Sequence, residues 1–247
     1  MTTELVYGRR PVREALQGRR QVLELLATER ALRAEPWLRD ESGLRVQVKP
    51  ERALNAAAGT QDHQGVLAFV EPYRYADAYE LASVESPLLV CLDSVTDPHN
   101  LGAVCRAADG AGATGVVVPA HNAVHVTPAV CRASAGAVEH LPVAVVKNLA
   151  RYLEDVKSPT LWAWAATGDA ETAMWDADLS GGVALVLGAE SKGIRPLVRR
   201  MCDDAVRIPL SGRVESLNVS VAAALLLFEA RRQRAASDVG VHLHHSG

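Results

Sequence analysis

From Pro87 onward the chain repeats one pattern: a short continuous apolar run, a polar loop, then a helical stretch. The runs fall at 88–92, 115–118, 143–146, 161–165, 183–187 and 206–210. Strands that are apolar on both faces and alternate with helices are those of a parallel sheet covered on both sides, so an α/β fold is expected here. No Gly-x-Gly-x-x-Gly follows the first run, and there is no P-loop, so the usual nucleotide fingerprints are absent. Ligands in such sheets collect beyond the carboxyl ends of the strands. Three of those ends carry polar loops.

The first run leads into Asp97–Pro98–His99–Asn100 and then a helix with Leu101, Val104, Cys105 and Ala108 on its apolar face. Asn100 stands where an N-cap belongs. Arg106 lies off the apolar face, and a guanidinium near a helix start favours an anion; the plain alternative is a capped helix with a surface arginine. The fifth run ends in Gly188–Ala189–Glu190–Ser191–Lys192–Gly193, a tight turn whose backbone a ligand could approach, or simply a βα turn with a well-placed carboxylate. The sixth run enters Ser211–Gly212–Arg213–Val214–Glu215–Ser216–Leu217–Asn218, followed by an all-apolar stretch from Val221 to Phe228. A helix apolar on every side is expected to be buried on every side, which would hold this loop between two buried elements. Ser216 or Asn218 then serves as a helix cap, a functional group, or both.

Residues 1–70 read as a separate small α/β unit: a helix from Pro11 with Val12, Ala15 and Leu16 on one face, strands at 22–26 and 65–70, a helix over 31–38, alternation at Val46 and Val48, and a helix from Pro50 to about Ala58. Residues 71–86 read as a linker with a short helix, 87–237 as the second domain and 238–247 as a flexible tail. The net charge of -3 gives no general argument for nucleic acid, but it is uneven. Residues 1–70 carry eleven Lys and Arg against nine Asp and Glu, the remainder fifteen against twenty. Arg9, Arg10, Arg13, Arg19 and Arg20 form a local basic patch or a solvated helix face. Aromatic residues are only 4%, which argues against a broad base-stacking platform. The four cysteines, Cys91, Cys105, Cys131 and Cys202, make no Cys-x-x-Cys pair and read as small buried hydrophobes. No apolar run approaches a membrane span, and the first residues lack the regions of a signal peptide, so a cytoplasmic protein without a membrane partner is expected. The His242–Leu243–His244–His245 tail reads as a frayed terminus in preference to a metal site, and no other metal set is seen.

The three loops together resemble the SpoU/TrmH family of the SPOUT superfamily of RNA methyltransferases. The resemblance rests on Asp97–Pro98–x–Asn100–x–Gly102–x3–Arg106, on Leu187–Gly188–Ala189–Glu190–x2–Gly193, and on Ile208–Pro209–Leu210–x–Gly212–x3–Ser216–Leu217–Asn218–Val219–Ser220. It covers about the C-terminal two-thirds. Tyr7–Gly8 and His63–Gln64–Gly65–Val66 also resemble the subgroup that methylates a guanosine ribose in large-subunit (23S) ribosomal RNA. Arg9–Arg10 stands where that subgroup usually has Ile-His, and Ser191 where many members have Gly.

The resemblance implies a SPOUT-type parallel sheet with a C-terminal trefoil knot, although true knots are nearly absent from proteins at large. It implies a preceding small α/β RNA-binding domain like ribosomal protein L30e. It further implies S-adenosylmethionine held by backbone near Gly188, Ile208 and Leu217, and a homodimer with sites near the interface. Arg106 is then the residue that activates the ribose hydroxyl. A guanidinium scarcely gives up its proton, so stabilising an alkoxide and gripping a phosphate are the roles expected of it. Asn100 and Glu190 orient Arg106 and the nucleotide, while Ser216 and Asn218 fix the loop and add hydrogen bonds. The same chemistry on a transfer RNA guanosine or an rRNA adenosine, and a non-catalytic ribosome-associated RNA-binding protein, are the competing readings.

Overall fold

The structure is a computed structural model and describes residues 2–40, 43–190 and 192–243. In chain order the elements are β1 (Glu4–Tyr7), α1 (Arg9–Gln17), β2 (Val22–Ala27), α2 (Glu29–Ala34), α3 (Trp37–Asp40), β3 (Val46–Val48), α4 (Glu51–Ala58), β4 (Val66–Val70), α5 (Ala78–Ser83), β5 (Leu88–Asp93), α6 (Pro98–Ala111), β6 (Gly115–Pro119), α7 (Pro128–Ala133), a 3-10 turn (Ala137–Glu139), β7 (Val143–Val146), α8 (Leu149–Val156), β8 (Leu161–Ala166), β9 (Thr172–Ala173), β10 (Gly182–Gly188), α9 (Pro196–Arg200), β11 (Asp204–Arg207) and α10 (Val219–Leu243). They form two compact units. One is Met1–Arg74 with His125–His140; the other is Tyr75–Val124 with Leu141–Gly247.

The first unit has a four-stranded sheet in the order β1-β4-β2-β3, with only β2 and β3 parallel. Leu26, Leu54 and Leu67 form a buried cluster, and Pro11, Val12 and Ala15 bury the inner face of α1. The single helix expected over 31–38 is two short ones, α2 and α3. Glu35 precedes Pro36 and takes φ -124 and ψ 88, because a proline ring drives the residue before it out of the helical region.

Residues 125–140, within the stretch expected over 87–237, pack with this unit. Arg20 explains why. Its side chain is 4% exposed and meets the Glu139 carboxylate, itself 0% exposed. Nε donates to Glu139 Oε2 at 2.9 Å, Nη2 donates to Oε1, and Nη1 donates to Glu4 Oε2 at 2.9 Å. The guanidinium carbon sits 5.3 Å from the centre of the Tyr73 ring. Burial opposes the charge on Arg20, but the hydrogen bond and charge of Glu139 outweigh it and its pKa is raised. A Cβ on Gly18 would lie 2.6 Å from Glu139 Cβ, so the returning segment packs on bare backbone. The expected basic patch is correspondingly reduced: Arg20 is buried, Arg9 pairs with Glu35 at 2.9 Å and Arg10 lies 3.9 Å from Glu14.

The second unit is a seven-stranded parallel sheet in the order β7-β6-β5-β10-β8-β11-β9. β5 and β6 are buried along their whole length, as expected of strands covered on both faces. Residues 75–86 of the expected linker are part of this unit. Ala76 bridges to Ala144, and Tyr152 Oη donates to the Ala78 carbonyl at 2.9 Å. The sixth strand ends at Arg207 and not at 210; Pro209 has no N–H to offer a ladder.

α10 corrects a second expectation. Val219, Ala223, Leu226, Leu227 and Ala230 are buried, but Val221, Leu225 and Phe228 are 46%, 40% and 52% exposed. An all-apolar helix on the edge of one unit has more apolar faces than that unit can cover. The helix continues to Leu243, so the start of the expected tail is helical backbone, while 244–247, with His244 and His245, lie outside the described residues. Among the described residues no helix is long and apolar enough to cross a membrane. Cys91, Cys105 and Cys131 are free and buried, and Cys202 is free and partly buried.

Candidate active site

The sheet order explains how three distant loops meet. β10 lies between β5 and β8, with β11 next, so the loops after β5, β10, β8 and β11 leave the same edge side by side. After β5, Asp97 caps α6 by accepting the His99 N–H at 2.8 Å, and Pro98 takes the first helical position, where an N–H is dispensable. The cap expected at Asn100 is thus filled by Asp97. Asn100 stands three residues further on, and its Nδ2 donates to Glu190 Oε1 at 3.0 Å.

After β10 the chain folds back on itself. A Cβ on Gly188 would sit 2.1 Å from the Gly193 carbonyl carbon, so only glycine fits. Gly193 takes φ +63 and its N–H donates to the Ala189 carbonyl at 2.7 Å. Glu190 projects from this closed turn; Ser191 lies outside the described residues.

After β11 the chain runs outside helix and strand to Asn218. The two readings of Asn218 prove compatible. Its Oδ1 accepts the Ser220 N–H at 2.9 Å and the Ser220 hydroxyl at 2.5 Å, capping α10. Its Nδ2 donates to Asn100 Oδ1 at 2.9 Å and to Glu190 Oε1 at 2.5 Å. One residue from each loop therefore shares a single hydrogen-bonded junction, with Glu190 accepting from both amides.

Beside the junction is a cleft of about 710 Å³. Gly188, Ile208, Leu217, Ser216 and Glu190 all line it. Arg106 does not join the junction. It is exposed on α6, one turn before Gly110, where a Cβ would lie 3.7 Å from Phe228 Cζ. Arg106 thus shares a helix face with the border of the exposed apolar stripe on α10.

Several lining groups lie outside the three loops. Thr167 and Gly168, after β8, form part of the wall, and Arg207 from the end of β11 lines it too. Arg207 Nη1 donates to the Ala170 carbonyl at 2.8 Å and to that of Glu171. The Thr167 hydroxyl, and then Arg199, hold Asp169 below its ordinary carboxylate range. The signal for Thr167–Gly168 was its position after a fourth apolar strand. Asp93, at the end of β5, is fully buried and contacts Arg195; an acid closing an apolar run is the corresponding clue. Among the described residues no group of three His, Cys, Asp or Glu side chains is arranged to hold a metal.

The model of the SpoU rRNA Methylase family matches residues 87–228, and that of RNA 2'-O ribose methyltransferase substrate binding matches residues 5–76. A 23S rRNA (guanosine-2'-O-)-methyltransferase RlmB of Pseudomonas syringae pv. tomato is 51% identical over 150 residues, which cover 61% of this chain and 60% of that protein. The RlmB of Shewanella oneidensis is 48% identical over 154 residues, 62% of this chain and 63% of that protein. The matched stretch thus spans about 60% of such curated relatives. Among solved structures, the SpoU methyltransferase AviRb of Streptomyces viridochromogenes in complex with AdoMet superposes with a TM-score of 0.77 at 27% identity, covering 94% of this chain and 91% of that one. The methylase model alone takes in more than half of the chain, and it spans all three loops joined by Asn100, Glu190 and Asn218, so the chain belongs to the SpoU rRNA methylase family.

Proposed function

We propose that this chain transfers a methyl group from S-adenosylmethionine to the ribose 2'-hydroxyl of a guanosine in 23S ribosomal RNA. The observation that carries the proposal is the Asn100–Glu190–Asn218 junction beside the cleft lined by Gly188, Ile208 and Leu217. The RNA is proposed from the relatives, which are named for that activity.

The cleft fits the cofactor. Its volume of about 710 Å³ falls within the usual range for small-molecule sites. Leu187, Ile208, Leu217 and Ala222 line it with apolar surface that would hold the cofactor's purine, and residues 208–217, outside helix and strand, have backbone groups that would be available to it. S-adenosylmethionine, when bound, supplies a sulfonium methyl group, already a good electrophile. The chain's own contribution is alignment, which can be worth on the order of 7–11 kcal/mol. Glu190 is fixed by two amides and holds the nucleotide. Arg106 stays charged, so it stabilises the developing alkoxide on the 2'-oxygen and grips the adjacent phosphate.

The reading includes a homodimer. Val221, Leu225 and Phe228 form an exposed stripe at helical spacing. A second copy covering it would also reach the α6 face that carries Arg106, which the junction of one chain leaves apart. The reading also includes a trefoil knot. It is supported by the path of the chain, which leaves β10, crosses to β11 beyond β8 and returns to pack α10 on α6. The first unit, in this reading an L30e-like domain, selects the RNA. A groove of about 770 Å³ on it is lined by Arg9, Arg30 and Lys49 together with Glu29, Glu51, Gln61 and Gln64, a mixed polar surface that in this reading meets RNA through shape and hydrogen bonds in the cytoplasm where ribosomes form.

Incubating the protein with tritiated methyl donor and unmodified 23S rRNA tests the proposal. Wild type incorporates label as 2'-O-methylguanosine, and Arg106→Ala abolishes incorporation while calorimetry finds its S-adenosylmethionine affinity within twofold of wild type. A wild-type protein that binds RNA but no S-adenosylmethionine would leave only the non-catalytic reading.

A further inference from the structure

Asp93 is the last residue of β5 and is 0% exposed. It holds both ends of the turn that carries Glu190. Its carbonyl accepts the Ala189 N–H at 3.1 Å. Its side chain accepts the Arg195 N–H at 2.7 Å through Oδ2 and the Arg195 Nε–H at 2.8 Å through Oδ1, and Oδ1 lies 2.7 Å from Arg195 Nη2. The turn is thereby tied at residue 189 and residue 195 to one point on the neighbouring strand. Gly188 and Gly193 close it from within, with no room for a side chain at 188.

We infer that Asp93 and Arg195 are positioning residues for Glu190 and for the cleft wall formed by Ala189, Gly193 and Ile194. The inference rests on the methyltransferase reading of that cleft. A buried carboxylate needs its charge and lone pairs satisfied. That need alone does not select the geometry found, in which all three side-chain contacts come from the far end of the turn. The Arg195 side chain is 48% exposed, so the fold does not depend on packing it. Its guanidinium instead closes on Oδ1 through both Nε and Nη2 while the backbone N–H of the same residue takes Oδ2, so three donors of one residue fix the carboxylate. Ser94 follows at φ +63, a left-handed residue where the chain leaves β5. Asp93 touches no reacting atom; it acts through Glu190, which accepts from Asn100 and Asn218.

The test compares the full-length wild type with Arg195→Ala, Arg195→Lys and, as a control for loss of an ordinary surface pair, Arg151→Ala, whose partner Asp155 lies on α8. Hydrogen exchange followed by mass spectrometry reads peptides covering 186–197. Arg195→Ala should speed exchange there at least tenfold while β6 and β7 peptides, away from Asp93, stay within twofold. S-adenosylmethionine binding, read by calorimetry, should weaken five- to twentyfold, and kcat on unmodified 23S rRNA should fall at least tenfold with the RNA KM within twofold. Arg195→Lys, which keeps a charge and a donor, should recover part of each loss, and Arg151→Ala should change nothing. Exchange and kcat within twofold of wild type in Arg195→Ala would overturn the inference, as would losses equal in the Lys and Ala variants. A wild type that binds no S-adenosylmethionine would remove the methyltransferase reading instead, and the exchange comparison would still decide whether the clamp holds the turn. Asp93→Asn adds a second perturbation from the strand side, expected to produce the same local exchange signature.

Discussion

Replacing Arg20 with Met should loosen the whole first unit, including a segment more than a hundred residues away in sequence. Arg20 is 4% exposed and Glu139 0%. The substitution leaves a carboxylate buried without its counter-charge, and it also strips Glu4 of a hydrogen bond at 2.9 Å. Removing one partner of a buried ion pair costs about 3–5 kcal/mol, a large part of the roughly 5–15 kcal/mol that holds a domain together. At about 1.36 kcal/mol per factor of ten, amide exchange governed by opening of the unit should accelerate roughly 150- to 5,000-fold. Native-state hydrogen exchange reads this directly. Peptides from α1 and β2 should speed up together with peptides from α7 and the 137–139 turn, while β5, β6 and β10 stay protected. The double variant Arg20→Met/Glu139→Met should recover much of the loss, because no buried charge is then left unpaired; Glu4, 40% exposed, keeps the Tyr73 N–H and reaches water. If α7 stays slow while α1 and β2 accelerate, residues 125–140 do not belong with the first unit. If neither changes by more than tenfold, the ion pair does not hold it.

Three further outcomes are expected. Asn218→Ala should cost about 1 kcal/mol in a urea melt, the usual value of a lost helix cap, yet lower methyl transfer at least a hundredfold, because the junction with Asn100 and Glu190 is lost; unchanged turnover would remove Asn218 from the site. Phe228→Asp should shift the protein from dimer to monomer in analytical ultracentrifugation at micromolar concentration, and a wild-type monomer would contradict the dimer. Burial pushes the Cys131 and Cys202 thiols up to about 12, from an ordinary value near 9.0. The folded state then keeps protons that the unfolded chain releases, so stability should fall as pH rises through 9 toward 12. Urea midpoints at pH 8 and 10.5 check the sign, and a higher midpoint at 10.5 would refute it.

Much of the second unit was legible because its strands are long enough to show an unbroken apolar run. Leu88, Val116, Val143 and Val183 all begin or lie in strands where such runs predict them. The three loops were legible for the same reason, since each follows such a strand. β1 and β9 left no signal: the first places a single fully buried residue, Val6, in the core, and the second is two residues long. An all-round apolar helix signals that one domain need not cover it completely, but hydropathy does not say that Val221, Leu225 and Phe228 are the residues left exposed. The assignment of 125–140 depends on Arg20 meeting Glu139 across 119 positions, and no local periodicity encodes such a pairing. Asn100 was misassigned as a cap for a related reason: Asp97 and Pro98 together make the stronger helix start, and this frees the Asn100 amide to reach Glu190 across 90 positions.

Mapping 2'-O-methyl groups by nucleoside mass spectrometry, on unmodified 23S rRNA treated with this protein and S-adenosylmethionine, reads the proposed reaction directly. One new 2'-O-methylguanosine, absent when Arg106→Ala replaces the wild type, is the predicted result. An unmodified transcript after treatment with wild-type dimer shown to bind the methyl donor, or a methyl group carried on a base in place of a ribose, would contradict it.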